Sequence, residues 1–297
     1  MNEKVEVSIV CLTYNHEKYI RKALDGFVFQ KTTFPYEIVI RDDASTDNTK
    51  LIIEEYKKKY PNLFKTIYEV ENQFSINNDF SINNLFPFIS GKYIAFCDGD
   101  DYWIDEYKLQ KQYDAVNKHN CVGSVHRVNC HLEDDTISEK AHPSKKYGID
   151  CDKVLDSEEL ANLLFVKGSY PFQTSCYFVK RIVVEELLKW SSSSQDIYYL
   201  FTMLALGDVY YFNKPMSIRR LNTIGNWNSI QKKKGKKGYI QNTKKYIMQL
   251  INFNDYSKGF YYDVIKYRIN QSIKDWLKKD IFSASLFICK NKKNNNY

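Results

Sequence analysis

The stretch Gly91-Lys92-Tyr93-Ile94-Ala95-Phe96-Cys97-Asp98-Gly99-Asp100-Asp101-Tyr102-Trp103 runs an apolar segment directly into three carboxylates. Tyr93 to Cys97 reads as a short strand buried on both faces. The acids after it repel one another and lose solvation unless a cation or hydrogen-bond donors compensate. Hard oxygen ligands of this kind suit Mg²⁺ or Mn²⁺, and two protein ligands suffice where phosphates complete the shell. Gly99 permits a tight turn that presents its flanking side chains together. The competing reading is an acidic turn, with Asp101 or Asp105 capping the helix that follows.

Upstream, strand and helix alternate. Val5 to Leu12 is β-rich and almost continuously apolar, and Glu17 to Phe29 sets Tyr19, Ile20, Ala23, Leu24 and Phe27 on one helical face. Tyr36 to Ile40 is a second strand ending at Arg41-Asp42-Asp43. Ser45-Thr46-Asp47 starts a helix through Leu51, Ile52, Glu55 and Tyr56, and Phe64 to Val70 is a third strand. Such alternation predicts an α/β fold: a mostly parallel central sheet flanked by helices, joined by right-handed crossovers. In these sheets the ligand crevice lies beyond the carboxyl ends of the strands. Thr13-Tyr14-Asn15, Asp42-Asp43 and Asp98 to Asp101 are therefore expected to converge on one rim.

Downstream of about residue 121 the pattern loosens. Before that point Asp105 to His119 reads as a helix; beyond it Leu155 to Val166 and Ile197 to Leu206 do. Val122 to Cys130, Cys176 to Val179, Val209 to Phe212 and Met216 to Ile218 read as strands, and Leu132 to Asp152 as a polar excursion. We expect a catalytic domain over 1–230, with a nucleotide-binding half (1–120) and an acceptor-binding half (121–230). Residues 231–297 form a basic, amphipathic helical extension carrying Ile247, Leu250, Ile251, Phe260, Val264, Ile265, Ile273, Trp276 and Leu277.

The 297 residues carry a formal charge of +7, and the basic excess falls in that last part, including Lys232-Lys233-Lys234 and Lys236-Lys237. Without a nucleic-acid motif, a basic amphipathic segment points to an anionic membrane surface before nucleic acid, or to a solvated face. No apolar run is long enough to span a bilayer; Ile281 to Cys289 is about half the length needed. The charged start, Met1 to Glu6, predicts no signal peptide. Seven cysteines with no C-x-x-C pair read as reduced thiols and so as a cytoplasmic protein, which the basic segment would then attach peripherally to the inner face of the membrane.

Taken alone, the other candidates stay two-sided. Asp42 and Asp43 either meet a base or ribose or cap the Ser45 turn; Thr13 and Asn15 either contact the nucleoside or satisfy the turn backbone. Asp196 stands where a helix begins, and Arg219-Arg220 either neutralises phosphate or is surface charge. Gly225-Asn226-Trp227 forms either a substrate-covering loop with Trp227 as a stacking face or ordinary packing. None of His16, His119, His126, His131 and His142 has metal-ligand spacing.

Val7 to Asn15, Asp42 to Asp47 and Gly91 to Trp103, continued by Lys108-Leu109-Gln110-Lys111-Gln112, resemble in order and spacing the family 2 glycosyltransferases of the GT-A fold that build bacterial surface polysaccharides. Phe172-Gln173-Thr174-Ser175, Gln195-Asp196 and Met216 to Arg220 extend the resemblance more loosely. It implies an inverting, Mn²⁺- or Mg²⁺-dependent transferase moving sugar from a nucleoside-diphosphate sugar, commonly a UDP-sugar, to a glycan or lipid-linked acceptor. By that resemblance Asp43 is the uracil contact with Asp42 close to it, Asp100 is the metal ligand, and Asp98 addresses ribose or metal-bound water; Thr13, Tyr14, Asn15 and Trp227 are the further nucleotide-binding candidates. Asp196 falls at the general base and Arg220 at a recurring Arg that stabilises the diphosphate. Two departures stand out: Asn222 where relatives carry His, and Gln195 where they carry Glu before the base. The alternatives are a nucleotide-sugar-binding protein without chemistry, which these departures weakly encourage and Asp43, Asp100 and Asp196 argue against, and a nucleotidyltransferase, whose Gly-rich, basic triphosphate loop is absent after the first strand.

Overall fold

The computed structural model describes residues 4–77, 82–168, 170–191, 195–221, 223, 227–280 and 284–285. They fall into two compact units, Met1–Leu160 with Tyr170–Thr223, and Ala161–Ser169 with Ile224–Tyr297.

The first unit is the expected α/β structure. Strands β1 (Val7–Thr13), β2 (Tyr36–Asp42) and β3 (Phe64–Tyr68) alternate with helices α1 (Ile20–Val28) and α2 (Thr49–Lys59), and a short α3 (Gln73–Asn77) precedes β4 (Tyr93–Phe96). These strands run parallel in the order β3-β2-β1-β4. Ile20, Ala23, Leu24 and Phe27 of α1 are fully buried, and the Phe27 ring meets Trp103 edge to face at 4.9 Å. Ile20, Leu24 and Phe27 each contribute roughly 1.5–3 kcal/mol over the exposed state. On α2 the apolar face is Ile52 and Ile53, with Leu51 turned to solvent at 64% exposure.

Beyond β4 the sheet becomes mixed. After β5 (Tyr102–Trp103) and α4 (Lys108–Lys118) come β6 (Gly123–His131), β7 (Ile137–His142) and β8 (Lys153–Leu155). α5 (Ser157–Ala161), β9 (Phe178–Lys180), α6 (Arg181–Trp190), α7 (Asp196–Leu206) and β10 (Val209–Arg220) follow. β9 enters antiparallel between β4 and β6, whereas β6 and β10 pair in parallel. The two strands read from Val209 to Ile218 are one, with its register irregular around Pro215, a residue that has no N–H to give the ladder. The polar excursion holds a strand, β7, paired to β6.

The second unit is helical. α8 (Trp227–Tyr256) bends at Gly235, where φ is 53°, and α9 (Tyr262–Lys279) follows it. Ile247, Leu250, Ile251, Ile265 and Trp276 are buried, as their spacing predicts, while Phe260 is 78% exposed. Arg268 ties α9 to the segment before Ser169, donating to the carbonyls of Phe165 at 2.6 Å and Val166 at 2.8 Å. Among the described residues, no helix is long and apolar enough to cross a membrane.

Candidate active site

The rim is knit by backbone hydrogen bonds. Thr13 and Asp42 end their strands side by side; Asp43 N–H donates to the Thr13 carbonyl at 3.0 Å and Gly99 N–H to the Leu12 carbonyl at 2.9 Å. The three acidic or polar strand ends therefore meet as the topology requires. At Gly99 a Cβ would stand 2.7 Å from Thr13 Oγ1 and 2.9 Å from both His16 Nδ1 and Ile20 Cδ1, so the close approach of these loops needs glycine.

The loops that follow β1 and β2 latch together. Asn15 and Ala44 hold left-handed backbones, φ 53° and 63°, a conformation that costs an Ala about 1–2 kcal/mol. Side chains offset that cost. Ser45 Oγ bonds the Asp42 carboxylate and accepts from Asn15 N–H at 2.9 Å, and Asn15 Oδ1 accepts from Thr46 N–H at 2.8 Å. Asn15 thus satisfies the turn backbone. Asp43 is fully buried, and its two carboxylate oxygens accept from Gln73 N–H at 2.9 Å and Phe74 N–H at 3.1 Å, fixing the start of α3 against the rim. Asp42 is held above the usual carboxylate range by burial, with Ser45 opposing and Asp47 and Asp43 adding to the shift. The Thr13 hydroxyl, also buried, has no partner among the described residues, and Tyr14 stands 38% exposed beside it.

The acidic loop is braced from β10. Arg220 N–H donates to Asp101 Oδ1 at 2.9 Å, its guanidinium to the Asp100 carbonyl at 2.8 Å and to Asp135 at 3.0 Å, and Thr223 Oγ1 to Asp100 Oδ2 at 2.9 Å. Asp101 is thereby a structural acceptor, and neither it nor Asp105 caps α4: the N-cap position is Tyr107, which has no side-chain cap bond, and Asp105 accepts from Tyr107 N–H at 2.9 Å in the turn before the helix. Burial first, then Asp100, Asp196 and Asp101, push Asp98 well above the usual carboxylate range, and burial and Asp100 raise Asp101 against the pull of Arg219 and Arg220.

Asp196 begins α7, whose Tyr199 ring lies 4.8 Å from that of Phe96 at the end of β4, so the sequence-distant acid arrives near the end of the strand that leads into the acidic loop. Its Oδ2 accepts from Thr174 Oγ1 at 2.7 Å. Burial raises its pKa, opposed by that hydrogen bond and by Arg219. Behind it, Trp103 Nε1 donates to the Ser175 carbonyl at 3.2 Å and Gln112 Nε2 to the Cys176 carbonyl at 3.0 Å, so the motif helix α4 and β5 position the Thr174 loop. Thr174, Thr223 and Asp135 are the positions that sequence reasoning left without a role. Asn222 and the side chain of Trp227 lie outside the described residues.

Could this rim hold a divalent cation? Neither carboxylate oxygen of Asp98 accepts a hydrogen bond from another described residue, and Asp100 uses only Oδ2. Hard oxygen donors crowded by like charge, on a loop too tight for a Cβ at Gly99, fit Mg²⁺ or Mn²⁺. Among the described residues no group of three or more His, Cys, Asp or Glu gathers as a self-sufficient metal site, so most of a shell would have to come from ligand or water.

Comparison with known proteins agrees with this architecture. The Staphylococcus aureus protein TarS, solved as its 1–349 fragment in complex with UDP-GlcNAc, aligns with a TM-score of 0.58 at 18% identity, covering 76% of this chain and 61% of that one. The Pyrobaculum calidifontis mannosyltransferase PcManGT, solved with GDP-Man and Mn²⁺, aligns at 0.53 and 14% identity over 100% and 82%. These likenesses show the fold, which is GT-A. An uncharacterized protein of Mycobacterium tuberculosis is 47% identical over 113 residues, 38% of this chain, and the match spans only 32% of that relative's own length. The poly(ribitol-phosphate) beta-glucosyltransferase of Bacillus spizizenii is 39% identical over 101 residues, 33% of this chain and 15% of its own. Residues 8–188, well over half the chain, match Glycosyl transferase family 2, and the chain belongs to that family.

Proposed function

We propose that this protein is an inverting, divalent-metal-dependent glycosyltransferase that moves a sugar from a nucleoside-diphosphate sugar, a UDP-sugar first among candidates, to a hydroxyl of a glycan or lipid-linked acceptor in surface-polysaccharide synthesis. The observation that carries the reading is that the start of α7 packs on the end of β4, with Tyr199 4.8 Å from Phe96, while the Asp196 carboxylate is held by Thr174 on the loop that Trp103 braces. Asp98 and Asp100 suit the donor's phosphates through a bound cation, and Asp196, on a different element, is left to serve the acceptor. The Bacillus glucosyltransferase and the UDP-GlcNAc complex of TarS support the choice of donor and acceptor class.

In the proposed reaction Asp196 takes the proton of the acceptor hydroxyl as its oxygen bonds the anomeric carbon. The bond from that carbon to the diphosphate oxygen breaks in the same displacement, the electron pair leaves with the nucleoside diphosphate, and configuration inverts. Asp98 and Asp100 would hold Mn²⁺ or Mg²⁺, which neutralises charge on the leaving diphosphate. Arg220 braces the Asp100 loop. Asp42, Asp43, Thr13 and Tyr14 form the floor on which base and ribose rest.

Lys236, Lys237 and the charged outer face of α9 support peripheral attachment to an anionic membrane at the cytoplasmic face. Flotation with anionic but not zwitterionic liposomes is expected; equal behaviour with both contradicts it.

A screen of radiolabelled UDP- and GDP-sugars with Mn²⁺ and lipid-linked saccharides tests the function. Glycoside of inverted configuration plus nucleoside diphosphate is expected. Retained configuration overturns the single displacement, binding without turnover identifies a non-catalytic nucleotide-sugar protein, and pyrophosphate release identifies a nucleotidyltransferase.

A further inference from the structure

We propose that Arg219, rather than the adjacent Arg220, is the cation that grips the diphosphate of the donor; the proposal rests on the nucleotide-sugar reading above. Residues along a strand alternate between faces, so beyond the irregularity at Pro215 the pairs Ser217/Arg219 and Ile218/Arg220 point opposite ways. The Ser217 face is the one that looks on Asp196: Ser217 Oγ lies 3.0 Å from Ser175 Oγ, and the preceding residue, Thr174, holds the Asp196 carboxylate. Arg219 is the next side chain on that face. The adjacent Arg220 N–H, bonded to Asp101 at 2.9 Å, pins this end of β10 to the acidic loop.

The two arginines differ in what they have left to offer. Arg220 is 3% exposed, spends its Nε on Asp135 and an Nη on the Asp100 carbonyl, and lies over the rings of Tyr102 at 4.6 Å and Tyr19 at 5.2 Å. Arg219 is half-buried, and among the described residues its guanidinium makes no hydrogen bond and no ion pair. Its charge nonetheless acts on Asp98, Asp101 and Asp196 together, drawing all three down against burial. The remaining titratable neighbours compete with nothing anionic. His142 is pushed to about 4, chiefly by burial and then by Arg219, and the Cys130 thiol is pushed by burial to about 11, so both are neutral near pH 7. A planar fork of free N–H donors between a metal-binding rim and the acceptor-side acid matches the oxygens of a diphosphate, which it can bind bidentately.

The test is calorimetric affinity of the full chain for UMP, UDP, GMP and GDP in Mn²⁺, with thermal melts as a folding control. Wild type is expected to prefer the diphosphate of one base. Arg219→Gln lowers that preference by roughly tenfold or more while monophosphate affinity stays within about twofold, because a charge-assisted contact to the β-phosphate is lost. Arg219→Lys, which keeps charge and loses the fork, falls between, and carries the test should the Gln variant fail to fold. Full diphosphate preference retained in the variants overturns the Arg219 assignment and leaves the nucleotide-sugar reading standing. A wild type with no metal-dependent diphosphate preference overturns both.

Discussion

Thr174 donates its hydroxyl to the Asp196 carboxylate at 2.7 Å, and this hydrogen bond works against the burial that raises the acid's pKa. Hydrogen bonding to the ionised form keeps a carboxylate available as a proton acceptor; the apolar surroundings disfavour it. With both effects on one side chain, the balance between them sets where on the pH scale Asp196 can act as a base.

Thr174→Val removes the donor and keeps the shape. The Asp196 pKa then rises further, so the acid limb of the turnover profile moves to higher pH. Activity should fall by up to roughly tenfold below pH 6 and recover toward wild type as pH increases. A uniform loss at every pH would mean that Thr174 only supports the fold.

Gly99→Ala places a Cβ 2.7 Å from Thr13 Oγ1 and 2.9 Å from His16 Nδ1. Relieving that overlap moves the acidic loop away from β1, with an expected stability loss of about 1–3 kcal/mol. Mn²⁺-dependent nucleotide affinity should fall with it. Wild-type denaturation and affinity together would show that the loop has room to spare.

Lys108 is fully buried, donates to Gln112 Oε1 at 2.6 Å and lies 4.0 Å over the Trp103 ring. Burial lowers its pKa from 10.5 to about 7. The unfolded chain therefore binds more protons than the folded one between those values, so this residue's contribution to stability increases with pH across that window. Relative to Lys108→Met, the wild type should gain up to ~1.4 kcal/mol per pH unit from about pH 7 to 10. Parallel urea-denaturation stabilities at pH 7.5 and 9 would contradict a deprotonating amine.

Local features were legible in the chain. The spacing of Ile20, Ala23, Leu24 and Phe27 gives the buried face of α1, and the strand-helix alternation brings Asp42, Asp98 and Thr13 to one rim. The helix α6 was not read, although Val183, Val184 and Leu187 form its buried face; it follows β9 without any intervening turn signal. β7 was hidden by its polar composition, Ile137-Ser138-Glu139-Lys140-Ala141-His142, because an edge hairpin needs little burial. At the site, the Asp residues stood out by type. The division of labour between Arg219 and Arg220 did not, since it depends on which way β10 faces after its irregularity at Pro215. Thr174 was invisible as a partner of Asp196 because β9 and α6 lie between them, 22 residues apart, and only the packing of those elements brings them together.

The central claim is that Asp196 performs chemistry while Asp98 and Asp100 hold the donor through a metal. The most direct measurement is nucleoside diphosphate release from the cognate nucleotide-sugar in Mn²⁺ by wild type and Asp196→Asn, with nucleotide affinity measured on the same samples. The account predicts release reduced about 100-fold or more with affinity within about twofold, because the proton acceptor is gone and the donor contacts remain. Near-normal release by Asp196→Asn would contradict it and remove Asp196 from the reaction.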